Sequence, residues 1–205
     1  MLIRCSSLPK IMTSPRSKSE VLSETAKSYI KQMAKEDFLG YSSELSNKYL
    51  EKGIQCESQS IELLNSVLFT SYEKNAERRS NDFLTGEPDI ITEDLIIDIK
   101  TSWSLDTFPM LVEDVNLKDY EMQLRGYMML FNVDKAMLAY CMVDTPEHLR
   151  SYESEELHLV SHIDSTKRVT MLTIERDEKI EQDIIEKCNA SLDYYYELIT
   201  KYNNK

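Results

Sequence analysis

The chain has 205 residues, of which 41% are hydrophobic, and this length is enough for one domain with a sizeable core. No apolar run approaches the roughly 18 residues needed to span a membrane, and the N-terminus lacks the apolar core of a signal peptide. The formal net charge of −12 argues against a chain that binds nucleic acid through general basicity.

Charge is unevenly distributed along the chain. Residues 1–35 carry seven Lys or Arg against two Glu, whereas residues 106–205 carry twenty acids against eleven bases. A basic N-terminal edge could contact phosphate groups, or the asymmetry could reflect solvated helix faces. The four cysteines are widely scattered without a C-x-x-C pair. Their spacing argues against structural zinc or a disulfide framework and favours a cytoplasmic location without membrane attachment.

The first 17 residues mix serine, proline and basic side chains, which is typical of an arm with a loop or a short helical turn. Hydroxyl and basic groups together can bind phosphate, and an ordinary N-terminal arm is the alternative. The candidate phosphate contacts are Arg4, Ser6, Ser7 and Lys10.

Two helices are predicted next. Residues 18–36 have an amphipathic pattern, and Gly40 with the serine-rich segment 42–46 then interrupts the chain. A second helix is predicted over 46–68, because large side chains recur every three or four residues. Glu57 lies in that apolar stripe, where a carboxylate is paired, bound to a metal, or at the edge and in contact with water. The stripe comprises Leu50, Ile54, Glu57, Ile61, Leu64 and Leu68.

Residues 72–85 are predicted as an irregular lead-in or first strand, in which the adjacent Arg78 and Arg79 either contact phosphate or are solvated. Two apolar runs then flank a short polar connection, which predicts a hairpin within 83–101. A two-residue turn at positions 93 and 94 pairs residue 91 with 96, 90 with 97 and 89 with 98.

That register places Asp89 opposite Asp98, with Cβ atoms roughly 5 Å apart on one face of the sheet. Lys100 follows Asp98 by two residues and therefore lies on the same face. Two carboxylates so close need a counter-charge, and converging oxygen ligands suit Mg²⁺ or Mn²⁺. The alternative is a surface hairpin with three solvated charges. Ser102, two residues beyond Lys100, is a further candidate for phosphate contact.

Residues 104–118 are predicted as a loop and residues 119–131 as a helix. Gln123 and Tyr127 share one face of this helix, and surface packing is their alternative role. Strands and helices continue to alternate downstream, so we expect one α/β domain with a central mixed sheet flanked by helices. The remaining predicted elements are a strand at 135–143, an acidic helix at 146–161, a strand at 167–175 and a helix at 177–202.

Four segments together resemble one enzyme superfamily. The P-D at 88–89, followed by D-I-K at 98–100, resembles the signature of the PD-(D/E)xK nucleases. The segment K-G-I-Q-C-E, which ends at Glu57, is similar to the helix that carries a Glu before their catalytic strands. The Q-x-x-x-Y at Gln123 and Tyr127 resembles a motif of RecB-type and phage exonucleases. The segment I-R-C-S-S-L-P-K-I-M at 3–12 resembles the start of phage lambda-type exonucleases.

The resemblance implies a restriction-endonuclease-like core formed by residues 1–205 and a metal-dependent DNA nuclease. It implies that Glu57, Asp89, Asp98 and the Ile99 carbonyl hold one or two Mg²⁺ ions, with Mn²⁺ as a substitute. Lys100 would then position the attacking hydroxide, and Gln123 with Tyr127 would orient Lys100 or the phosphate.

The resemblance also implies a biological setting. Its elements are duplex DNA ends as substrate, digestion from 5′ to 3′, 5′-phosphate contact by the N-terminal arm, a trimeric ring, a single-strand annealing protein as partner, and a bacterial or phage-infected cell. Two alternatives stay open from the residues alone. They are an endonuclease of the same fold, and a nuclease-fold module that binds DNA or protein without cutting.

Overall fold

The computed structural model describes residues 1–43 and 47–205. Within these residues the chain forms seven α-helices and seven β-strands. The helices are α1 (Leu8–Ile11), α2 (Glu24–Leu39), α3 (Lys48–Gln55), α4 (Glu57–Leu68), α5 (Glu121–Phe131), α6 (Glu147–Arg150) and α7 (Glu178–Asn203). The strands are β1 (Ile3–Arg4), β2 (Arg79–Ser80), β3 (Leu84–Gly86), β4 (Ile90–Ile91), β5 (Ile96–Thr101), β6 (Lys135–Cys141) and β7 (Val169–Glu175).

The larger sheet has the strand order β4-β5-β6-β7. β5 and β6 are parallel, because the chain crosses between them through α5, whereas the outer two pairs are antiparallel. Side chains of β5 alternate between the faces. Ile97 and Ile99 pack with residues of α4, and Ile96 packs with residues of α5. The predicted mixed sheet with flanking helices is therefore confirmed.

The smaller sheet builds the N-terminus into the core. β1 pairs in parallel with β3, and β2 pairs antiparallel with β3. Ile3, Leu8 and Ile11 are fully buried, together with side chains of α2 and α7. The first 11 residues are thus an integral part of the domain, although the sequence predicts only an arm there.

Helix α2 begins later and ends later than the predicted 18–36. The Ser23 hydroxyl accepts a hydrogen bond from the Ala26 N–H over 3.0 Å, which caps the first turn at Ser23. Gly40 ends the helix in a left-handed conformation with φ 68°, as its predicted role as a breaker requires. Positions 44–46, which include the predicted start of the next helix, lie outside the described residues.

The prediction of one helix over 46–68 is wrong, because the chain turns at Cys56 between α3 and α4. The Lys52 side chain ties α3 to backbone carbonyls at the end of the large sheet, whereas α4 packs along the sheet's face. One straight helix cannot satisfy both contacts. As a result, Leu50 and Ile54 of the predicted apolar stripe are 50% and 68% exposed.

The prediction of a helix over 146–161 is also wrong. Helix α6 ends at Arg150, and Ser151 follows with φ 58° and ψ −118°. Glu153 Oε2 then accepts a hydrogen bond from Trp103 Nε1 over 2.9 Å and lies 3.1 Å from His158 Nε2. These tertiary contacts draw the segment out of a helical path.

The other predicted elements are confirmed to within a few residues. They are the helix at 119–131 as α5, the strands at 135–143 and 167–175 as β6 and β7, and the final helix as α7. Among the described helices, none is both long enough and apolar enough to cross a bilayer.

Candidate active site

The predicted motif residues meet where β4 pairs with β5. The strands pair in the predicted register, with Ile90 opposite Ile97. Asp89 directly precedes Ile90, and its Oδ2 accepts a hydrogen bond from the backbone N–H of Ile99 over 2.6 Å. This bond holds the Asp89 carboxylate beside the neighbouring residue of β5, Asp98.

Asp98 is the hub of the site and is only 2% exposed. Gln123 Nε2 donates to Asp98 Oδ1 and to the Tyr127 hydroxyl, each over 2.9 Å. Lys100 Nζ lies 2.6 Å from Asp98 Oδ2, yet this oxygen makes no hydrogen bond of regular geometry. Asp98 Oδ2 therefore has charge compensation and also a lone pair for a further ligand.

The two carboxylates perturb each other. Burial, and next the negative charge of Asp98, raise the pKa of Asp89 to about 7. The Ile99 N–H and the Lys100 ammonium oppose this rise only in part. Without a further cation, Asp89 therefore takes up a proton near neutral pH, which is the electrostatic signature of a site that prefers more positive charge.

Lys100 supplies the cation of this group. Burial on its own lowers the pKa of Lys100, but the charges of Asp98 and Asp89 outweigh burial and raise it above its ordinary value. Its ammonium also lies 4.8 Å from the centroid of the Tyr120 ring. Lys100 is therefore a protonated group in this arrangement, suited to stabilise negative charge.

Glu57 approaches the same cleft from the first residue of α4. Its Oε2 lies 2.5 Å from Lys74 Nζ, in a pair whose lysine side chain is 56% exposed. Within residues 1–43 and 47–205, no three His, Cys, Asp or Glu side chains converge on one point. Glu57 thus flanks the carboxylate pair and is held by a solvent-exposed lysine.

These groups share an open cleft of about 640 Å³. The C-terminal end of β5 and α5 form one side of it, and exposed apolar side chains of α3 form another. Its lining includes Glu57, Asp89, Asp98, Ile99, Lys100, Thr101, Ser102, Gln123 and Tyr127, together with Asn47, Tyr49, Leu50, Gly53, Ile54, Trp103, Thr107, Tyr120 and Tyr140. The structure therefore brings together all six predicted catalytic side chains.

A crystal structure of a phage-related exonuclease from Haemophilus somnus 129PT matches this fold with a TM-score of 0.92. The two sequences are 36% identical, and the match covers 98% of this chain and 96% of that chain. The chain belongs to the phage-related exonuclease family. The resemblance predicted from the sequence motifs is thereby confirmed.

More distant structures share the fold of this family member. An alkaline exonuclease (LHK-Exo) from Laribacter hongkongensis matches with a TM-score of 0.74 at 12% identity, over 99% of this chain and 92% of that chain. LHK-Exo in complex with dAMP matches with a TM-score of 0.67 at 13% identity, with the same coverage. Neither a protein-family model nor a curated protein matches the chain.

The donor set of this exonuclease-family chain fits a hard divalent cation. Asp89 and Asp98 are adjacent and largely buried, and Asp98 Oδ2 has an unused lone pair. Carboxylate and carbonyl oxygens are the ligands that Mg²⁺ and Mn²⁺ prefer. Ile99, which follows Asp98 on β5, lines the same cleft. Glu57 would have to leave Lys74 to join this set.

Most of the predicted phosphate contacts lie outside the cleft lining. Arg4, Ser6 and Lys10 are exposed on the N-terminal segment, whereas Ser7 is buried. The two predicted arginines pair with nearby acids, since Arg78 lies 2.9 Å from Glu87 and Arg79 lies 2.6 Å from Glu77. Of the seven candidates, only Ser102 lines the cleft, and its buried hydroxyl makes no hydrogen bond to the described residues.

The N-terminal segment nevertheless reaches the back of the site. A Cβ atom at Gly86 would lie 2.7 Å from Cys5 Sγ and 2.8 Å from Tyr127 Cε1. Only glycine allows this close approach. The residue after Arg4 thus packs against Gly86 and also against α5, where a Cβ atom at Gly126 would lie 2.9 Å from Cys5 Sγ.

Sequence reasoning missed Lys52, which is fully buried. Its ammonium donates to the carbonyls of Ser102, Trp103 and Val143 over 2.7, 3.0 and 3.0 Å. Burial lowers the pKa of Lys52 to about 8, and three carbonyl acceptors favour its charged form. Lys52 thereby fixes the chain just beyond Lys100. No sequence pattern marks it, because Lys52 lies off the predicted stripe of Leu50 and Ile54, on the side of the helix where a lysine is ordinarily solvated.

Proposed function

We propose that this member of the phage-related exonuclease family is a metal-dependent deoxyribonuclease that hydrolyses phosphodiester bonds from the ends of double-stranded DNA. The observation that carries the proposal is the convergence of Asp89, Asp98 and Lys100 in an open cleft. A relative with 36% identity over nearly the whole chain is a phage-related exonuclease, which supports the same reaction class here.

Asp89, Asp98 and the Ile99 carbonyl would hold Mg²⁺, and Glu57 would complete the set after exchanging Lys74 for the ion. Mn²⁺ would substitute, because it shares the preference for oxygen ligands. When bound, the ion lowers the pKa of a coordinated water and neutralises charge on the phosphate. The raised pKa of Asp89 is consistent with this assignment, because a bound cation favours its ionised form.

The remaining side chains act by charge and orientation. Lys100 places a positive charge where the scissile phosphate gains negative charge, and such preorganised charges are worth several kcal/mol in catalysis. Gln123 fixes Asp98 Oδ1, and the Tyr127 hydroxyl fixes the Gln123 amide. These two hydrogen bonds fix Oδ1 of the Asp98 carboxylate, so that Oδ2 stays directed towards the proposed metal ion.

The N-terminal segment would contact the DNA end. Arg4, Ser6 and Lys10 are exposed and offer charge-assisted hydrogen bonds to a 5′-phosphate. Ser7 is buried and would have to become accessible to join them. Arg78, Arg79 and Ser102 are the other proposed DNA contacts. By family resemblance we also propose 5′ to 3′ digestion, a trimeric ring, a single-strand annealing protein as partner, and the cytoplasm of a bacterial or phage-infected cell. The structure of LHK-Exo with dAMP supports nucleic acid as the ligand class.

Linear and covalently closed circular duplex DNA, each incubated with Mg²⁺ or EDTA, test the proposal. We expect nucleotide release only from linear DNA with Mg²⁺, and slower release as salt rises. Efficient cutting of closed circles would instead identify an endonuclease. No cutting of either DNA with Mg²⁺ or Mn²⁺, despite DNA binding, would identify a non-cutting module.

The role of the N-terminal segment needs a separate comparison. Arg4→Ala should slow digestion of 5′-phosphorylated linear duplex far more than that of 5′-hydroxyl duplex. Arg16→Ala is the matched control, because Arg16 is an exposed arginine of the same segment. An equal loss on both kinds of end in the Arg4 variant would assign Arg4 to packing or to general phosphate attraction.

A further inference from the structure

The Lys100 ammonium has an aromatic neighbour that no sequence motif includes. Its Nζ lies 2.6 Å from Asp98 Oδ2 and 4.8 Å from the centroid of the Tyr120 ring. Tyr120 precedes the first residue of α5 and lies three residues before Gln123. The helix that fixes Asp98 therefore also begins with a ring against the catalytic lysine.

A second tyrosine fixes the position of that ring. Tyr140 stands opposite Lys100 in the parallel pairing of β5 with β6. Its ring meets the Tyr120 ring edge to face, with centroids 6.3 Å apart and planes at 80°, an arrangement favoured by the ring quadrupoles. Both rings line the cleft. Tyr140, a residue of the sheet, thus holds the Tyr120 ring in place, and that ring covers one side of the Lys100 ammonium.

An aromatic ring suits this position better than an acid would. A ring face attracts a cation through its quadrupole, worth about 0.5 to 2 kcal/mol depending on desolvation, but carries no net charge. It therefore leaves the positive charge of Lys100 and its N–H donors available to a phosphate. A carboxylate here would neutralise that charge and compete with the phosphate for the same donors.

We propose that Tyr120 is a positioning residue that acts through Lys100, and that its ring face holds the ammonium over the cleft while phosphate is bound. The inference rests on the proposed nuclease function. It assigns the ring of Tyr120, rather than its hydroxyl, to the task, and it assigns Tyr140 to keeping that ring in place.

Three substitutions at Tyr120 distinguish the effect of the ring face from the effects of side-chain size and of the hydroxyl group. Tyr120→Phe keeps the ring face, Tyr120→3,4,5-trifluorophenylalanine keeps the shape but weakens the face, and Tyr120→Leu removes the ring. On linear duplex DNA with Mg²⁺, we expect the Phe variant to stay within about twofold of wild type. The other two should lose about 2- to 30-fold in kcat, the range of a lost cation–π contact, with KM nearly unchanged.

A measurement in EDTA tests the contact without catalysis. Tyr120→Leu should lower the melting temperature more in the wild-type background than in a Lys100→Met background, where no cation faces the ring. This coupling can be measured even if the protein proves not to cut DNA, so a failure of the proposed function and a failure of this inference are distinguishable.

Three results would overturn the inference. Equal impairment of the Phe and Leu variants would place the function on the hydroxyl. Wild-type kcat in the trifluorophenylalanine variant would reduce Tyr120 to a packing residue. Equal melting-temperature losses in both backgrounds would show that the ring and the ammonium are not coupled. The trifluorophenylalanine variant preserves the packing volume, so the test survives if the Leu variant does not fold.

Discussion

Asp89→Asn should stabilise the metal-free protein at pH 8, although it removes a proposed metal ligand. The pKa of Asp89 is raised to about 7 by burial and by Asp98, compared with 3.8 for an ordinary aspartate. The pKa of Asp89 is higher in the folded than in the unfolded protein. The contribution of Asp89 to the free energy of unfolding is therefore fully present below about pH 4 and is lost as the pH rises through 7. The full difference corresponds to up to about 4 kcal/mol in the free energy of unfolding.

The asparagine variant should remove this dependence on pH. An asparagine carries no charge to repel Asp98, and its side-chain oxygen can still accept the Ile99 N–H. Urea unfolding in EDTA between pH 4 and pH 8 measures the difference between variant and wild type. We expect a difference that is small near pH 4 and grows in favour of the variant up to pH 8.

An exposed carboxylate of the same hairpin supplies the control. Asp94→Asn alters the turn between β4 and β5 and should give a difference from wild type that varies little with pH. A variant of Asp89 that is less stable than wild type at pH 8 would refute the reasoning. A difference that does not change between pH 4 and pH 8 would do the same.

Three further predictions concern the metal and the two lysines. The affinity for Mg²⁺, measured by calorimetry, should rise about tenfold per pH unit up to about pH 7 and then level off, because binding displaces the proton of Asp89; an affinity that is constant from pH 5 to 8 would contradict this. Lys100→Met should slow DNA digestion by about 100-fold or more and destabilise the metal-free protein at pH 8; wild-type rates in the folded variant would exclude Lys100 from catalysis. Lys52→Met should lower the free energy of unfolding in urea by about 2–4 kcal/mol, since three buried carbonyls lose their donor; a loss below about 0.5 kcal/mol would contradict the three contacts.

The parts of the site that the sequence predicts depend on short-range geometry. The hairpin register follows from the two-residue turn and from alternation along the strands. The pairing of Gln123 with Tyr127 follows from the spacing of four residues on a helix. These features are decided within about ten residues, so that a single sequence suffices to locate them.

The parts that the sequence does not predict depend on contacts between distant segments. Lys52 splits the predicted helix at 46–68 because carbonyls fifty and more residues away accept its ammonium. The predicted helix at 146–161 ends already at Arg150, because Glu153 binds Trp103, which lies fifty residues away. The sequence does not predict the contact of Tyr120 with Lys100, because that contact depends on the path of the loop between β5 and α5.

The central claim is that the carboxylate pair and Lys100 form the nuclease centre, and matched substitutions in one hairpin test it most directly. Asp98→Ala removes the buried hub of the site, whereas Asp94→Ala removes an exposed carboxylate four residues away. With Mg²⁺ and linear duplex DNA, we predict that nucleotide release falls by about 100-fold or more in the first variant and stays within about twofold of wild type in the second. Release at the wild-type rate from a folded Asp98→Ala variant would contradict the account.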